Sequence, residues 1–160
     1  MAKGGKRKKD KGKKAKLKNP PKGMAQCSPY LYYAEPRRAV EWLENAFGLE
    51  LRTAVPADDG ELVHAELRYG KGVVMLGRAS SEPGTRSPRD LPAIHQSVYL
   101  YVDDVDDHCQ VARSAGAQIG ADPQDMFWGD RMYSARDCEG HHWSFAQHVR
   151  DVDYGGAGQD

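Results

Sequence analysis

The chain has 160 residues and no net charge, so its length allows one domain with at most a small appendage. No stretch approaches the ~18 consecutive apolar residues of a membrane-spanning helix, and no apolar segment follows the N-terminal charges, which predicts a soluble cytoplasmic protein without membrane contact. The three cysteines have neither an even number nor CxxC spacing, so they indicate neither a disulfide framework nor a zinc site.

Residues 1–26 form a basic tail with eleven Lys and Arg and one acid, whereas the rest of the chain has twelve Lys and Arg and twenty-two acids. The tail has no apolar periodicity, so nothing offsets the entropy lost on ordering, and we expect it to be disordered. Clustered lysines attract phosphate backbones, which predicts weak, non-specific nucleic-acid contact. The alternative is a solvated tail that only increases solubility.

A first structural module is predicted at about 28–78. A strand-like run starts at Ser28, and apolar residues then recur at helical spacing until Gly48, which ends the helix. Three more strand-like runs follow, at about 49–55, 62–69 and 72–77. The module therefore has the order β-α-β-β-β.

A second module at about 95–148 repeats this pattern, because the run from Ser97 matches the run from Ser28 at an offset of 69 residues. Its helix ends before Gly116, and its later strands are predicted at about 117–121, 131–136 and 142–147. Residues 79–94 are rich in Ser, Pro, Gly and charge and predict an exposed linker. One domain is thus expected at 27–150, with a flexible C-terminal tail at 151–160.

Two such modules predict an α+β fold. Placed side by side, they form a curved eight-stranded mixed sheet with the helices outside. The concave side of this sheet is an internal cleft of the kind in which small ligands bind.

The run WGDRMYSARDCEGHHWSF at 128–145 resembles the end of glyoxalase/bleomycin resistance/dioxygenase proteins of the vicinal oxygen chelate superfamily. Segments 29–32 and 64–68 resemble the first and third strands of its PhnB-like branch. The resemblance covers 28–148 and implies the fold just described, and since many relatives are homodimers, it also implies a homodimer. The superfamily includes lyases, dioxygenases, epimerases and antibiotic-sequestering proteins, so it leaves the reaction open.

Metal-dependent relatives place a ligand, usually His or Glu, on the first and fourth strand of each module. The matching positions here are Ser28, Met75, Ser97 and Ser144, and both pairs are 69 residues apart. Hydroxyl and thioether groups are not customary ligands of a divalent cation, so we predict no metal and no other cofactor.

Histidine and glutamate elsewhere leave an enzyme as an alternative. Glu66, His95 and one of His141 and His142 are candidates for a relocated metal site. Adjacent histidines on a strand point to opposite faces, so at most one of the pair is expected in the cleft. His64 and Glu66, two apart on a strand, are the candidate acid-base pair of a metal-free enzyme.

Aromatic side chains dominate the predicted cleft, whereas Trp143 and Phe145 are expected in the core. The leading hypothesis is a metal-free protein that binds a small, aromatic or antibiotic-like compound; the alternatives are a lyase, isomerase or dioxygenase, and a nucleic-acid-associated module. The residues predicted to bind the ligand are Ser28, Tyr30, Tyr32, Met75, Ser97, Tyr99, Tyr101, Trp128, Tyr133, His142 and Ser144.

Overall fold

A computed structural model of the chain describes residues 20–82, 84–93 and 96–152. No helix in these ranges is long and apolar enough to cross a membrane. Module 1 contains β1 (Tyr30–Tyr33), α1 (Pro36–Phe47), β2 (Glu50–Pro56), β3 (Leu62–Tyr69) and β4 (Gly72–Arg78). Module 2 follows a short 3-10 helix at Pro88–Asp90 and contains β5 (Ser97–Tyr101), α2 (Val105–Ser114), β6 (Gln118–Asp125), β7 (Asp130–Arg136) and β8 (His142–His148).

The strands form two mixed sheets of four. Sheet 1 has the order β1-β4-β3-β2, and sheet 2 has the order β5-β8-β7-β6. The parallel pairs are β1 with β4 and β5 with β8. The α+β class and the doubled module are therefore confirmed, with the eight strands hydrogen-bonded as two separate groups. Tyr30 lies opposite Met75 and Tyr99 lies opposite Ser144, so the offset of 69 residues holds on both strands.

Each helix begins and ends where local chemistry requires it. Pro36 occupies the first turn of α1, where its missing N–H is not needed, and Gly48 ends the helix at a φ of 65°. The Asp104 side chain caps α2 by accepting a hydrogen bond from the Asp107 N–H, and Gly116 follows the helix at a φ of 88°.

One hydrophobic core joins the modules. The ring of Phe47, at the end of α1, lies 5.4 Å from the Trp143 ring and 4.7 Å from the Phe145 ring. Both β8 residues are fully buried, as predicted, and burying a side chain of this size stabilises the fold by about 2–3 kcal/mol. The opposite faces of the sheets, called here the open faces, carry Tyr30 and Tyr32 on sheet 1 and Tyr99 and Tyr101 on sheet 2.

Residues 20–26 are the part of the predicted tail that the structure describes. They contain a turn in which the Met24 N–H donates to the Pro21 carbonyl over 3.0 Å. Arg52 on β2 donates to the Lys22 carbonyl over 3.1 Å, so this segment contacts module 1. Residues 1–19 and 153–160, which include most of both predicted tails, lie outside the described ranges.

Candidate functional site

A cavity of about 380 Å³ lies between β1, the linker and the start of β8. Its volume is within the range of small-molecule sites. It includes three of the predicted ligand-binding residues, Tyr30, Tyr32 and His142, and several that the sequence did not indicate. The side chains that matter most for its chemistry are Tyr30, Tyr32, Arg86, Leu91, His141 and His142.

Two tyrosine rings on β1 form one side of the cavity. The Tyr30 and Tyr32 centroids are 5.3 Å apart. Tyr30 lies directly over Gly77 of the neighbouring strand, where an added Cβ atom would come within 2.5 Å of the Tyr30 ring. The position of this ring therefore depends on a residue without a side chain at 77.

His64 and Glu66, the candidate acid-base pair, lie on the same open face and connect to Tyr30. The Tyr30 hydroxyl is 2.9 Å from His64 Nδ1, and His64 Nε2 is 3.6 Å from a Glu66 carboxylate oxygen. Arg52 pairs with the same carboxylate. Burial, with a smaller contribution from Tyr32, raises the pKa of Tyr30, so its hydroxyl stays protonated and available for hydrogen bonds.

The linker passes over the cavity and is not exposed throughout its length. Ser87 is fully buried, and its hydroxyl donates to the Glu139 carboxylate in module 2. This hydrogen bond explains why a polar, Pro-rich segment is held against the domain, since a buried hydroxyl needs a partner. The neighbouring Arg86 is exposed beside the cavity.

Both members of the His141-His142 pair line the cavity, which corrects the prediction that at most one would. Strand β8 begins at His142, so His141 belongs to the preceding turn and strand alternation does not apply to it. His141 Nε2 is 3.1 Å from the Tyr32 carbonyl oxygen, whereas His142 Nε2 is buried without a partner among the described residues. Burial lowers the pKa of both imidazoles, which favours their neutral forms.

The turn before β8 fastens module 2 to module 1. Asp137 accepts hydrogen bonds from the Tyr33 hydroxyl over 2.6 Å and from the Trp143 indole N–H over 3.1 Å. Glu139 accepts from the backbone N–H groups of Ala34 and Glu35 over 2.7 and 2.8 Å. These buried acids, for which the sequence pattern predicted no role, hold the two histidines against β1.

The four positions that the resemblance assigns to metal ligands carry no customary ligand of a divalent cation. Met75 and Ser144 lie opposite tyrosines, Ser97 lies opposite His142, and the Ser28 hydroxyl is buried without a partner in the described part of the chain. Neutral oxygen and thioether donors do not fit a divalent cation. Within the described ranges no three His, Cys, Asp or Glu side chains are grouped as metal ligands; His95 lies outside those ranges.

The tyrosines of sheet 2 have a different environment from those of sheet 1. The hydroxyls of Tyr99 and Tyr101 both donate to one oxygen of Asp130 over 2.9 Å, and His148 Nδ1 lies 3.0 Å from the other oxygen. Burial and the hydrogen bond to Asp130 raise the pKa of Tyr99 to about 12. Trp128 hydrogen-bonds to Tyr99 and lies at the edge of this group.

Tyr133 does not line the cleft, and its predicted position is wrong. It is only 1 % exposed, pairs with Phe145 on the core face, and its hydroxyl is 2.8 Å from His108 Nδ1. Strand alternation is the cause: Ser134 lies opposite Ser144, so the preceding residue must face the core.

Comparisons with known proteins agree with this architecture. The sequence model of the glyoxalase/bleomycin resistance protein/dioxygenase superfamily matches residues 23–145 of this chain. An uncharacterised protein of Mycobacterium bovis is 37 % identical over 128 residues, which are 78 % of this chain and 84 % of the relative. The crystal structure of TioX from Micromonospora sp. ML1 is 41 % identical, with a TM-score of 0.62 over 76 % of this chain and 97 % of TioX. A superfamily protein from Nocardioides, 17 % identical, shares the fold with a TM-score of 0.57 over 82 % of this chain and 87 % of its own.

Proposed function

Because the chain belongs to the glyoxalase/bleomycin resistance protein/dioxygenase superfamily, we propose that it binds a small aromatic compound, without a metal, in the cavity beside β1. One observation carries the proposal: His142 Nε2 is buried without a partner at a cavity bounded by two tyrosines. A buried, unpaired polar atom costs about 1–3 kcal/mol. A ligand that hydrogen-bonds to this nitrogen removes that cost.

The chemistry of the lining favours a flat ligand with at least one hydrogen-bonding group. Tyr30 and Tyr32 provide ring surface for stacking, and Leu91 adds apolar contact. His142 is favoured as a neutral imidazole and so offers one hydrogen bond without a charge. An antibiotic-like aromatic compound that is held rather than converted fits these properties.

We further propose that two copies form a homodimer. Its support is exposed apolar surface outside both ligand-binding surfaces, on β2 at the edge of sheet 1, where Leu51 is 43 % exposed and Val55 is 41 % exposed. Apolar surface of this kind is commonly covered by another chain. Membership of the PhnB-like branch and a cytoplasmic location remain predictions from the sequence.

An enzyme is the second candidate, and the network on sheet 1 favours it. His64 lies between the Tyr30 hydroxyl and the Glu66 carboxylate, an arrangement in which an imidazole can transfer a proton. Tightly held, stoichiometric metal that is lost on His142→Ala would instead indicate a lyase or dioxygenase with a relocated metal.

Nucleic-acid contact through the basic tail is a third candidate. It depends on residues 1–19, which lie outside the described ranges. Stronger retention of the full chain than of a tail-deleted chain on immobilised DNA, lost at high salt, is the expected result. Equal retention of the two chains would count against it.

A thermal-shift screen over aromatic antibiotics, vicinal diols and thiol conjugates tests the main proposal. A compound that binds the native state raises the melting temperature. Its affinity, measured by calorimetry, should fall about tenfold in His142→Ala, which corresponds to about 1.4 kcal/mol. Ser144→Ala, on the same strand but outside the cavity lining, is the matched control and should bind normally. Equal affinity of the His142→Ala and wild-type chains would contradict the proposal.

A further inference from the structure

A second aromatic group lies on the open face of sheet 2, outside the cavity lining. Tyr99 is 45 % exposed and Tyr101 is 56 % exposed. The two residues are separated by one residue on β5 and so lie on the same face of the strand. Their ring centroids are 5.5 Å apart and the ring planes meet at 62°, an arrangement called here the open corner. Large aromatic side chains with this exposure commonly mark a binding surface.

A buried carboxylate lies behind this corner. Asp130 is 4 % exposed, and one of its oxygens accepts hydrogen bonds from both tyrosine hydroxyls over 2.9 Å. Burial favours its neutral form, but hydrogen bonds from His148, Tyr99 and Tyr101 outweigh burial and lower the pKa of Asp130. The carboxylate is therefore ionised at neutral pH.

The charged groups that hydrogen-bond within this cluster include more carboxylates than cations. His148 lies between Asp130 and Asp151, with 3.0 Å from each ring nitrogen to a carboxylate oxygen. Even when this imidazole is protonated, one cation faces two carboxylates. A phenol that donates its proton toward a carboxylate also has a more electron-rich ring, and the face of such a ring attracts cations.

We propose that Tyr99, Tyr101 and Asp130 form a binding subsite for an organic cation, such as a quaternary or protonated amine. Two ring faces supply cation–π contacts, and the carboxylate behind them supplies the charge. A metal ion is not suited to this place, because both Asp130 oxygens already accept hydrogen bonds and a hard cation needs several free oxygen ligands.

The equivalent pair of tyrosines on sheet 1 is an internal control for the effect of the carboxylate in this subsite. Tyr30 and Tyr32 occupy the equivalent positions, yet the Tyr30 hydroxyl contacts an imidazole rather than a carboxylate. Arg86 is also exposed at the nearby cavity. The carboxylate on this face, Glu66, reaches Tyr30 only through His64 and is paired with Arg52, so the tyrosines of sheet 1 have the ring area of the subsite without an excess of negative charge. The inference stands whether or not the cavity binds an aromatic compound.

Titration of the full-length chain with choline, followed by NMR of the tyrosine ring signals, tests the inference. Choline should shift the Tyr99 and Tyr101 signals saturably, and its uncharged isostere 3,3-dimethylbutan-1-ol should bind at least tenfold more weakly. Tyr101→Leu should abolish the shift of the Tyr99 signals, while the matched variant Tyr32→Leu should leave choline affinity unchanged. Asp130→Asn should weaken binding at least fivefold.

Three outcomes would overturn the inference. They are equal binding of choline and the isostere, equal losses from Tyr32→Leu and Tyr101→Leu, and no saturable shift at about 0.1 M choline. Tyr101 is largely exposed, so Tyr101→Leu should fold even if Asp130→Asn does not. Affinity of the cavity for its own ligand is measured separately through His142→Ala, so failure of one site is distinguishable from failure of the other.

Discussion

The two open faces carry the same pair of tyrosines in the same register but hold them with different chemistry. On sheet 1, Tyr30 lies over Gly77 and reaches the imidazole of His64. Sheet 2 has Ala146 at the position equivalent to Gly77, and there Tyr99 donates to the carboxylate of Asp130. A duplicated module can therefore keep its backbone and still acquire two surfaces of different charge.

Asp130→Asn removes the charge that distinguishes sheet 2 and should have the largest effect. An amide in this place turns one acceptor into a donor facing either the tyrosine hydroxyls or His148, so the free energy of unfolding should fall by about 2 kcal/mol. Glu66→Gln on sheet 1 should cost less than about 1 kcal/mol, because its pair with Arg52 remains in contact with solvent. Chemical denaturation measures both values. Equal losses of stability in the two variants would contradict a greater role for the carboxylate on sheet 2.

Gly77→Ala tests whether the position of the Tyr30 ring on sheet 1 depends on a residue without a side chain at 77. The new methyl group would lie within 2.5 Å of the Tyr30 ring, so the ring must leave its present position beside the cavity. Affinity for a cavity ligand should fall about tenfold, or about 1.4 kcal/mol. Ala146→Gly, the reverse change on sheet 2, is the control and should leave that affinity unchanged. Calorimetric titration with a compound from the thermal-shift screen decides between these outcomes.

A smaller difference is expected when each tyrosine loses only its hydroxyl. Tyr99→Phe removes a hydrogen bond to a carboxylate and should reduce the free energy of unfolding by about 1 kcal/mol. Tyr30→Phe removes a bond to an imidazole that is itself 25 % exposed, against 5 % for the Asp130 side chain, and should cost about 0.5 kcal/mol. Urea denaturation of the two variants side by side measures the difference. A larger loss for Tyr30→Phe would contradict the expectation that the hydrogen bond to Asp130 stabilises the fold more than the hydrogen bond to His64.

The smallest effect is a pH dependence of opposite sign at the two sites. Hydrogen bonds to Asp130 and Asp151 raise the pKa of His148, so its stabilising contribution is complete below the ordinary value of about 6.5 and is lost as pH rises through the folded pKa. Burial lowers the pKa of His141 and His142, so their contribution is present above about pH 6.5 and is lost as pH falls through their folded values.

NMR titration of the imidazole signals separates these contributions. In Asp130→Asn, the pKa of His148 should move down toward its ordinary value, since the first cause of its rise is removed. The signals of His141 and His142 should titrate as in the wild-type chain. An unchanged His148 titration would mean that Asp151 alone sets its pKa.

The periodic features of the fold were predictable from the sequence. Helix ends at Gly48 and before Gly116, the strand order of each module, and the 69-residue register follow from spacing and from residues that end helices. The core positions of Trp143 and Phe145 follow from the same alternation. These features are local, so one strand or helix contains the information that places it.

The cavity was only partly predictable because it depends on contacts between distant segments. Tyr30, Tyr32 and His142 were identified from strand faces, but the linker was expected to be exposed, and no local pattern pairs Ser87 with Glu139. His141 was misplaced because the residue at which β8 begins is set by the turn and not by the strand pattern. Strand starts are the least certain part of such a prediction.

The turn at 137–141 has a consequence for how chains of this kind are recognised. Its acids are the residues by which the sequence resembles a family, yet both carboxylates are engaged in hydrogen bonds that hold one half of the domain to the other. A search that detects this turn therefore detects a joint between two duplicated halves. Proteins that share it need have no substrate in common, and ligand screens are better grouped by the residues on the open faces.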